Sequence, residues 1–302
     1  MESVPYIGEI LSVGAALFWG IAVILFKLAG ESMPPLALNA FKGAIGVVLL
    51  PLTLVVAGID FTPQVTVTDW VLLFASGVVG ITVADTLFFF SLQKLGAGLT
   101  AVVDTSYTPI IVALSAGFLG DRLNPLELVG AALIMGALVV GSAARPEKGR
   151  TRKDIIEGVL VGVLGIALMA VGVVMIKGVL DKPEVDMIWA TWVRVLGGFI
   201  GVVPLIALHP RRRALLASLR PSRAWGVASL AALFGSYLAM TVWVGGMKYC
   251  DVSRSALLNQ LSTIFIFVFA TVFLKERLTL RRGLAIALAV GGAYLVVSCS
   301  AA

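Results

Sequence analysis

The chain has 302 residues, 59% of them hydrophobic and 13% charged, against about a quarter charged in an ordinary soluble domain, which excludes a soluble globular fold. Two cysteines, Cys250 and Cys299, and one histidine, His209, leave no material for a disulfide framework or a Cys/His metal centre. The net charge of +6 does not point to nucleic acid, because the basic residues sit in short connectors between apolar runs.

A transmembrane helix needs roughly 20 mostly apolar residues, and ten such runs follow one another, near 8–28, 35–57, 69–93, 98–119, 126–144, 155–180, 186–208, 224–248, 254–274 and 281–299. The first, in "MESVPYIGEILSVGAALFWGIAVILF", carries Glu2 and Glu9 where a signal peptide has a basic region, so it is read as a span. The connectors hold turn formers: "ESMPP" (31–35), "GIDFTPQ" (58–64), "DRLNP" (121–125), "ARPEKGRTRKD" (144–154) and "HPRRRALLASLRPSR" (209–223). None is long enough for a soluble domain.

A shift of 155 lays residues 70–142 over 225–297 without a gap, bringing Trp70 onto Trp225, Gly80 onto Gly235, Thr86 onto Thr241, Thr108 onto Thr263 and Arg122 onto Arg277. With a shift of 152, Lys42 falls on Arg194. The expected fold is therefore all-α and integral to the membrane, with two five-helix repeats, 1–144 and 155–302, joined by the basic connector 145–154. Because five is odd, the second repeat enters from the opposite side, giving an inverted pair around a central cavity. Lys and Arg set the orientation. Connectors after the odd-numbered spans hold Lys94, Arg145, Lys148, Arg150, Arg211, Arg212, Arg213, Arg223, Lys275 and Arg277 among others, against Arg122, Lys177, Lys182, Lys248 and Arg254 on the other side. Both termini are thus expected outside. Small residues four apart, as in "GVLVG" (158–162) and "GGFIG" (197–201), let helices approach closely in lipid.

A charge at the bilayer centre costs about 3 kcal/mol even on a lenient scale, so Lys42, Asp85, Asp104 and Arg194 must face the protein interior or a wet cavity. Asp85 lies about eight residues, roughly 12 Å, from the cytoplasmic end of its span, and Asp104 about six. Two readings stay open for these carboxylates: handling of substrate or protons, or structural pairing with Lys42 or Arg194. Helical spacing puts Thr82, Asp85 and Phe89 on one face, and Thr100, Asp104, Tyr107 and Thr108 on another. In the second repeat Asn259 aligns with Asp104 and Thr263 with Thr108, Gln260 adds an amide, and Tyr237, Thr241 and Trp243 continue the polar stripe. Trp19 and Trp243 lie too deep for an interfacial belt and either pack the core or line the cavity. Pro109 is expected to kink the fourth span where its counterpart Ile264 does not, so the two halves should differ in shape.

The stretches "FLGDRLNPLELVGAALIMGALVVG" (118–141) and "FLKERLTLRRGLAIALAVGGAYLVV" (273–297) resemble the Leu-Gly-Glu-Arg-Leu signature of the EamA-type branch of the drug/metabolite transporter superfamily. So does "FFFSLQKLGAGLTAVVDTSYTPIIVALSAGFLGDRL" (88–123), with its paired aromatics, Gly-Ala turn and proline. Lys275 and Asp121 depart from the signature. Relatives are drawn with both termini in the cytoplasm, the reverse of what the basic connectors here indicate. The resemblance implies a central cavity lined by spans 1, 3, 4, 6, 8 and 9, and so adds Trp19 and Met169 to the candidates.

The expected function is a secondary transporter that moves a small metabolite, an amino acid or similar polar or amphipathic solute, by alternating access with proton coupling or exchange. Asp85 is the proton-linked or cation-contacting group. Asp104, Tyr107, Asn259, Gln260 and Thr263 orient the substrate; Phe88, Phe89, Trp19 and Trp243 supply apolar or cation-π contact; Thr82, Met169, Tyr237 and Thr241 complete the set. The isolated His209 and the lack of Asp-x-x-Asp or HExxH patterns argue against the alternative, an integral-membrane enzyme acting on a lipid or isoprenoid. A passive channel would need a filter-like loop. No Walker motif, cofactor or metal site is implied. The expected partners are a small-molecule substrate and membrane lipid, with no nucleic acid, in a multi-pass bacterial or archaeal plasma membrane, as a monomer or homodimer.

Overall fold

A computed structural model describes residues 6–141, 151–221, 224–273 and 280–298, and every regular element among them is helical. Six helical stretches are long and apolar enough to cross a membrane: Ile7–Gly30, Pro35–Ala57, Val67–Gly96, Arg152–Leu180, Met187–Leu208 and Ala224–Tyr249. Val102–Phe118, Pro125–Ala137 and Gly283–Ser298 are shorter apolar helices. With so few charges to solvate, the chain is an integral membrane protein.

Helix boundaries follow the polar punctuation. Helix α1 (Ile7–Gly30) is followed by α2 (Pro35–Ala57), which starts on a proline whose missing N–H would be unpaired anyway and stops at Gly58, in the left-handed region at φ 65°. Thr66 and Asp69 form a reciprocal capping box for α3 (Val67–Gly77), and Thr151 with Asp154 does the same for α7 (Arg152–Leu180). Between these lie α4 (Ala84–Asp104), α5 (Tyr107–Phe118) and α6 (Pro125–Gly141). Asp186 caps α8 (Met187–Leu208) through the N–H groups of Ile188 and Trp189. The second part of the chain continues as α9 (Arg212–Ser218), α10 (Ala224–Ala232), α11 (Met240–Tyr249), α12 (Val252–Asn259), α13 (Leu261–Phe273) and α14 (Leu280–Ser298).

Two π-helical segments interrupt the helices, Val78–Val83 between α3 and α4 and Leu233–Ala239 between α10 and α11. Each widened turn frees backbone carbonyls, which nearby side chains take up. Asn39 Nδ2 donates to the Ile81 carbonyl at 2.7 Å, Thr86 Oγ1 donates to Thr82 O at 2.6 Å, and Thr241 Oγ1 donates to Tyr237 O at 2.6 Å.

Helix α1 packs against α10, the second π segment, α11, α12 and α13, while α7 packs against α3, the first π segment, α4 and α5. Helix α2 lies on α8, and α6 on α14. Glycines make these crossings possible. A Cβ at Gly130 would lie 2.8 Å from the Gly292 carbonyl oxygen, and one at Gly292 would lie 2.6 Å from that of Gly130.

The third and fourth predicted spans are separated where expected, at Gly96 within α4, which leaves helical geometry at φ 76°. Other expectations need correction. The fourth span breaks just before Pro109, as expected, but its counterpart breaks as well. Residues 105–106 separate α4 from α5, and Gln260 separates α12 from α13. At the first break Thr105 and Ser106 bond back three residues, to Val102 O and Val103 O, which places Pro109 in the first turn of α5, where it costs little. At the second, Thr263 N bonds Gln260 O in the same tightened way without a proline. The connector 209–223 contains α9, anchored by the buried Leu215. Arg145, Lys148, Arg150, Arg223, Lys275 and Arg277, the 144–145 boundary and Cys299 lie outside the described residues.

Candidate functional site

A cavity of about 60 Å³ lies among α1, α4, α5, α7, α8, α11, α12 and the two π segments. Asp85, Asp104, Tyr107 and Arg194 give it charge and polarity, with Asn259 and Gln260 beside them. Trp19, Phe88, Met169 and Trp243 give it apolar wall. Gly80, Gly235, Ala15, Ala239 and Met240 complete the lining and carried no chemical signal in the sequence, although Gly80 and Gly235 are matched by the repeat.

The four intramembrane charges are not used alike. Lys42 on α2 and Asp85 on α4 form a close ion pair, their side chains 2% and 3% exposed, with the ammonium also 5.7 Å from the centre of the Phe89 ring. Of the two cations that the sequence offered Asp85, the structure therefore selects Lys42. The Arg194 guanidinium is 1% exposed and lies 5.5 Å over the Trp243 ring. Its Nε and Nη1 have no hydrogen-bond partner, and the charge of Asp85 reaches it only through space. Among the described residues, Arg194 and Asp104 enter no ion pair. The cavity thus presents one cation and one carboxylate that have no ion-pair partner among the described residues.

Neutral groups around them are also open. Tyr107 Oη, Trp243 Nε1, Asn259 Oδ1 and Gln260 Oε1 are buried without partners, while the Gln260 amide donates to the backbone carbonyl of Asp104 at 2.9 Å across the break between α4 and α5.

Other candidates point elsewhere. Thr82 donates to Gly198 O at 2.7 Å, Tyr237 shares a 2.7 Å bond with Thr53, and Thr241 bonds its own helix. Phe89 packs on Phe26 at 4.9 Å, behind Phe88. Thr263 faces a second, much smaller cavity of about 10 Å³, room for one water-sized species, bounded by α1, α4 and α13, which shares Trp19, Phe88 and Asp104 with the first.

A family model described as the EamA-like transporter family matches two stretches, residues 6–142 and 156–298. The curated protein named uncharacterized transporter sll0355, from Synechocystis, is 27% identical over 75% of this chain and 70% of its own length. Uncharacterized transporter YetK of Bacillus subtilis is 21% identical over 96% of this chain and 87% of its own. A crystal structure of another protein superposes with a TM-score of 0.71 at 21% identity, covering 94% of this chain and 96% of that one, a likeness of fold alone. The chain belongs to the EamA-like transporter family.

Proposed function

We propose that the chain is a secondary transporter built from two inverted five-helix halves, 1–144 and 155–302, that moves a small zwitterionic metabolite of the amino-acid class by alternating access. The ungapped internal match at a shift of 155 supports duplication, as do the two stretches matched by one family model. Exchange of partners between the halves supports inversion: α1 packs on α10 to α13, α7 packs on α3 to α5, α2 meets its counterpart α8, and α6 meets α14. The Lys and Arg distribution supports an orientation with both termini outside.

One observation carries the substrate reading: a cation and a carboxylate share a cavity wall and neutralise neither each other nor anything else among the described residues. A zwitterion supplies both missing charges, its carboxylate to Arg194 and its ammonium to Asp104. Tyr107, Asn259 and Gln260 offer the remaining hydrogen bonds, and Trp19, Phe88 and Trp243 the apolar contact. Asp85 is assigned to holding Lys42, and the coupling role expected for it passes to Asp104.

Alternating access requires contacts between the halves to break in turn. Towards one face these are Lys182 with Asp69 at 2.7 Å, Ser253 with Asp121, Arg254 with Glu127, and Trp189 Nε1 with the Phe61 carbonyl at 2.9 Å. Towards the other, Lys94 bridges Asp154 at 2.7 Å and Glu157 at 2.8 Å.

The test is a thermal-shift panel of amino acids, amines, carboxylic acids, sugars and nucleotides on purified wild type and Arg194→Met. Amino acids should raise the melting temperature of the wild type alone, while the ligand-free variant should melt no lower than the wild type, because it sheds an uncompensated buried charge. Equal ligand response in both proteins would remove Arg194 from the site.

A further inference from the structure

The smaller cavity beside the main one is not needed to hold a zwitterion, yet four of its eight lining residues are polar, set against Trp19, Val23, Phe88 and Ile266. Asp104 contributes a carboxylate, and Thr100, Ser262 and Thr263 contribute hydroxyls, from α4 on one side and the first turn of α13 on the other. Thr100 is 2% exposed, and its Oγ1 has no hydrogen-bond partner. Ser262 and Thr263 are buried to a similar degree. Trp19 and Phe88, with ring centroids 5.8 Å apart, border both cavities.

We infer that this pocket binds a dehydrated monovalent alkali cation, sodium being the natural probe. The donor set is all hard oxygen, two from the carboxylate and three hydroxyls, the chemistry that selects alkali and alkaline-earth ions over transition metals. With a single carboxylate the pocket balances one positive charge and no more. No cluster of three His, Cys, Asp or Glu occurs among the described residues, so a divalent ion has nothing to neutralise it. A bound cation also supplies the positive partner that the Thr100 hydroxyl oxygen and the Asp104 carboxylate both lack. A water molecule would satisfy the hydroxyls but leave the carboxylate charge uncompensated.

Because Asp104 faces both cavities, the ion and the substrate ammonium compete for one carboxylate, and each weakens the binding of the other by the same factor, as exchange requires. This makes the cation a coupling ion, a role that rests on the transport reading above. Its binding does not.

The test is a titration of tryptophan fluorescence in the purified full-length protein, with NaCl or KCl replacing choline chloride at constant ionic strength, Trp19 being the reporter at the pocket wall. A saturable change specific to an alkali cation is expected. Thr100→Val and Thr263→Val, which keep shape and remove one ligand each, should raise its midpoint about tenfold. Thr108→Val deletes another buried unpartnered hydroxyl, one that does not line this pocket, and should titrate as wild type. If Thr100→Val fails to fold, Ser262→Ala asks the same question. Indistinguishable curves in NaCl, KCl and choline chloride would overturn the proposal, as would a wild-type midpoint in the ligand variants. A failed titration leaves the transporter reading standing, and a failed transport assay leaves a positive titration standing.

Discussion

The Lys42–Asp85 pair gives the sharpest energetic prediction. Both side chains are almost wholly buried, at 2% and 3% exposure, so neither charge has water to fall back on. Lys42→Met strands a carboxylate and Asp85→Asn strands an ammonium, and each single variant is expected to lose about 3–5 kcal/mol. The double variant removes both charges at nearly constant shape. It should lose only about 1–2 kcal/mol, the part due to the ammonium's contact with the Phe89 ring. The assay is equilibrium unfolding of the full chain in mixed micelles, followed by circular dichroism and tryptophan fluorescence, whose transitions must coincide. A double variant as unstable as the sum of the two singles would refute the pairing, since independent sites add.

Two further predictions concern packing and pH. A Cβ at Gly198 would sit 2.6 Å from Ile81 Cβ, so Gly198→Ala should cost about 1–3 kcal/mol in the same assay. Gly178→Ala, whose Cβ meets nothing within 4 Å, should be neutral or slightly stabilising, and equal losses at both positions would contradict the crossing of the first π segment on α8. Burial pushes the Cys250 thiol up from 9.0 to about 12, with the charge of Glu9 adding to the effect. In a Cys299→Ala background its alkylation should stay slow near neutrality and accelerate only as pH approaches 12. The sign for stability follows: the raised value contributes stability that is fully present below about 9 and is lost as pH climbs from 9 towards 12. Alkylation of the folded protein with a midpoint near 9 would contradict this burial.

The apolar runs and their turn-forming connectors made the helices readable from sequence, because lipid demands long apolar stretches and backbone bonding within each segment. The charges were readable as interior groups for the same reason. Which cation meets Asp85 was not, since the choice depends on how α2 and α8 are rotated about their axes. Of the face assigned to Thr82, Asp85 and Phe89, Asp85 and Phe89 both meet Lys42 while Thr82 turns away. The π segment Val78–Val83 lies just before Asp85, and its extra residue turns the following helix by about 100° relative to an unbroken one. Thr82 therefore reaches Gly198 on α8 while Asp85 turns to the cavity and Lys42. Thr241 and Tyr237 were misplaced by the matching segment in the second half of the chain. Glycine and alanine cavity residues left no trace because they act by being small.

The most direct measurement is solute counterflow into proteoliposomes loaded with an amino acid that stabilises the wild type. Radiolabelled substrate outside should accumulate transiently against its gradient with wild type, and neither Arg194→Met nor Asp104→Asn should support this at more than background rate. Counterflow by both variants at the wild-type rate would contradict a site built on those two uncompensated charges.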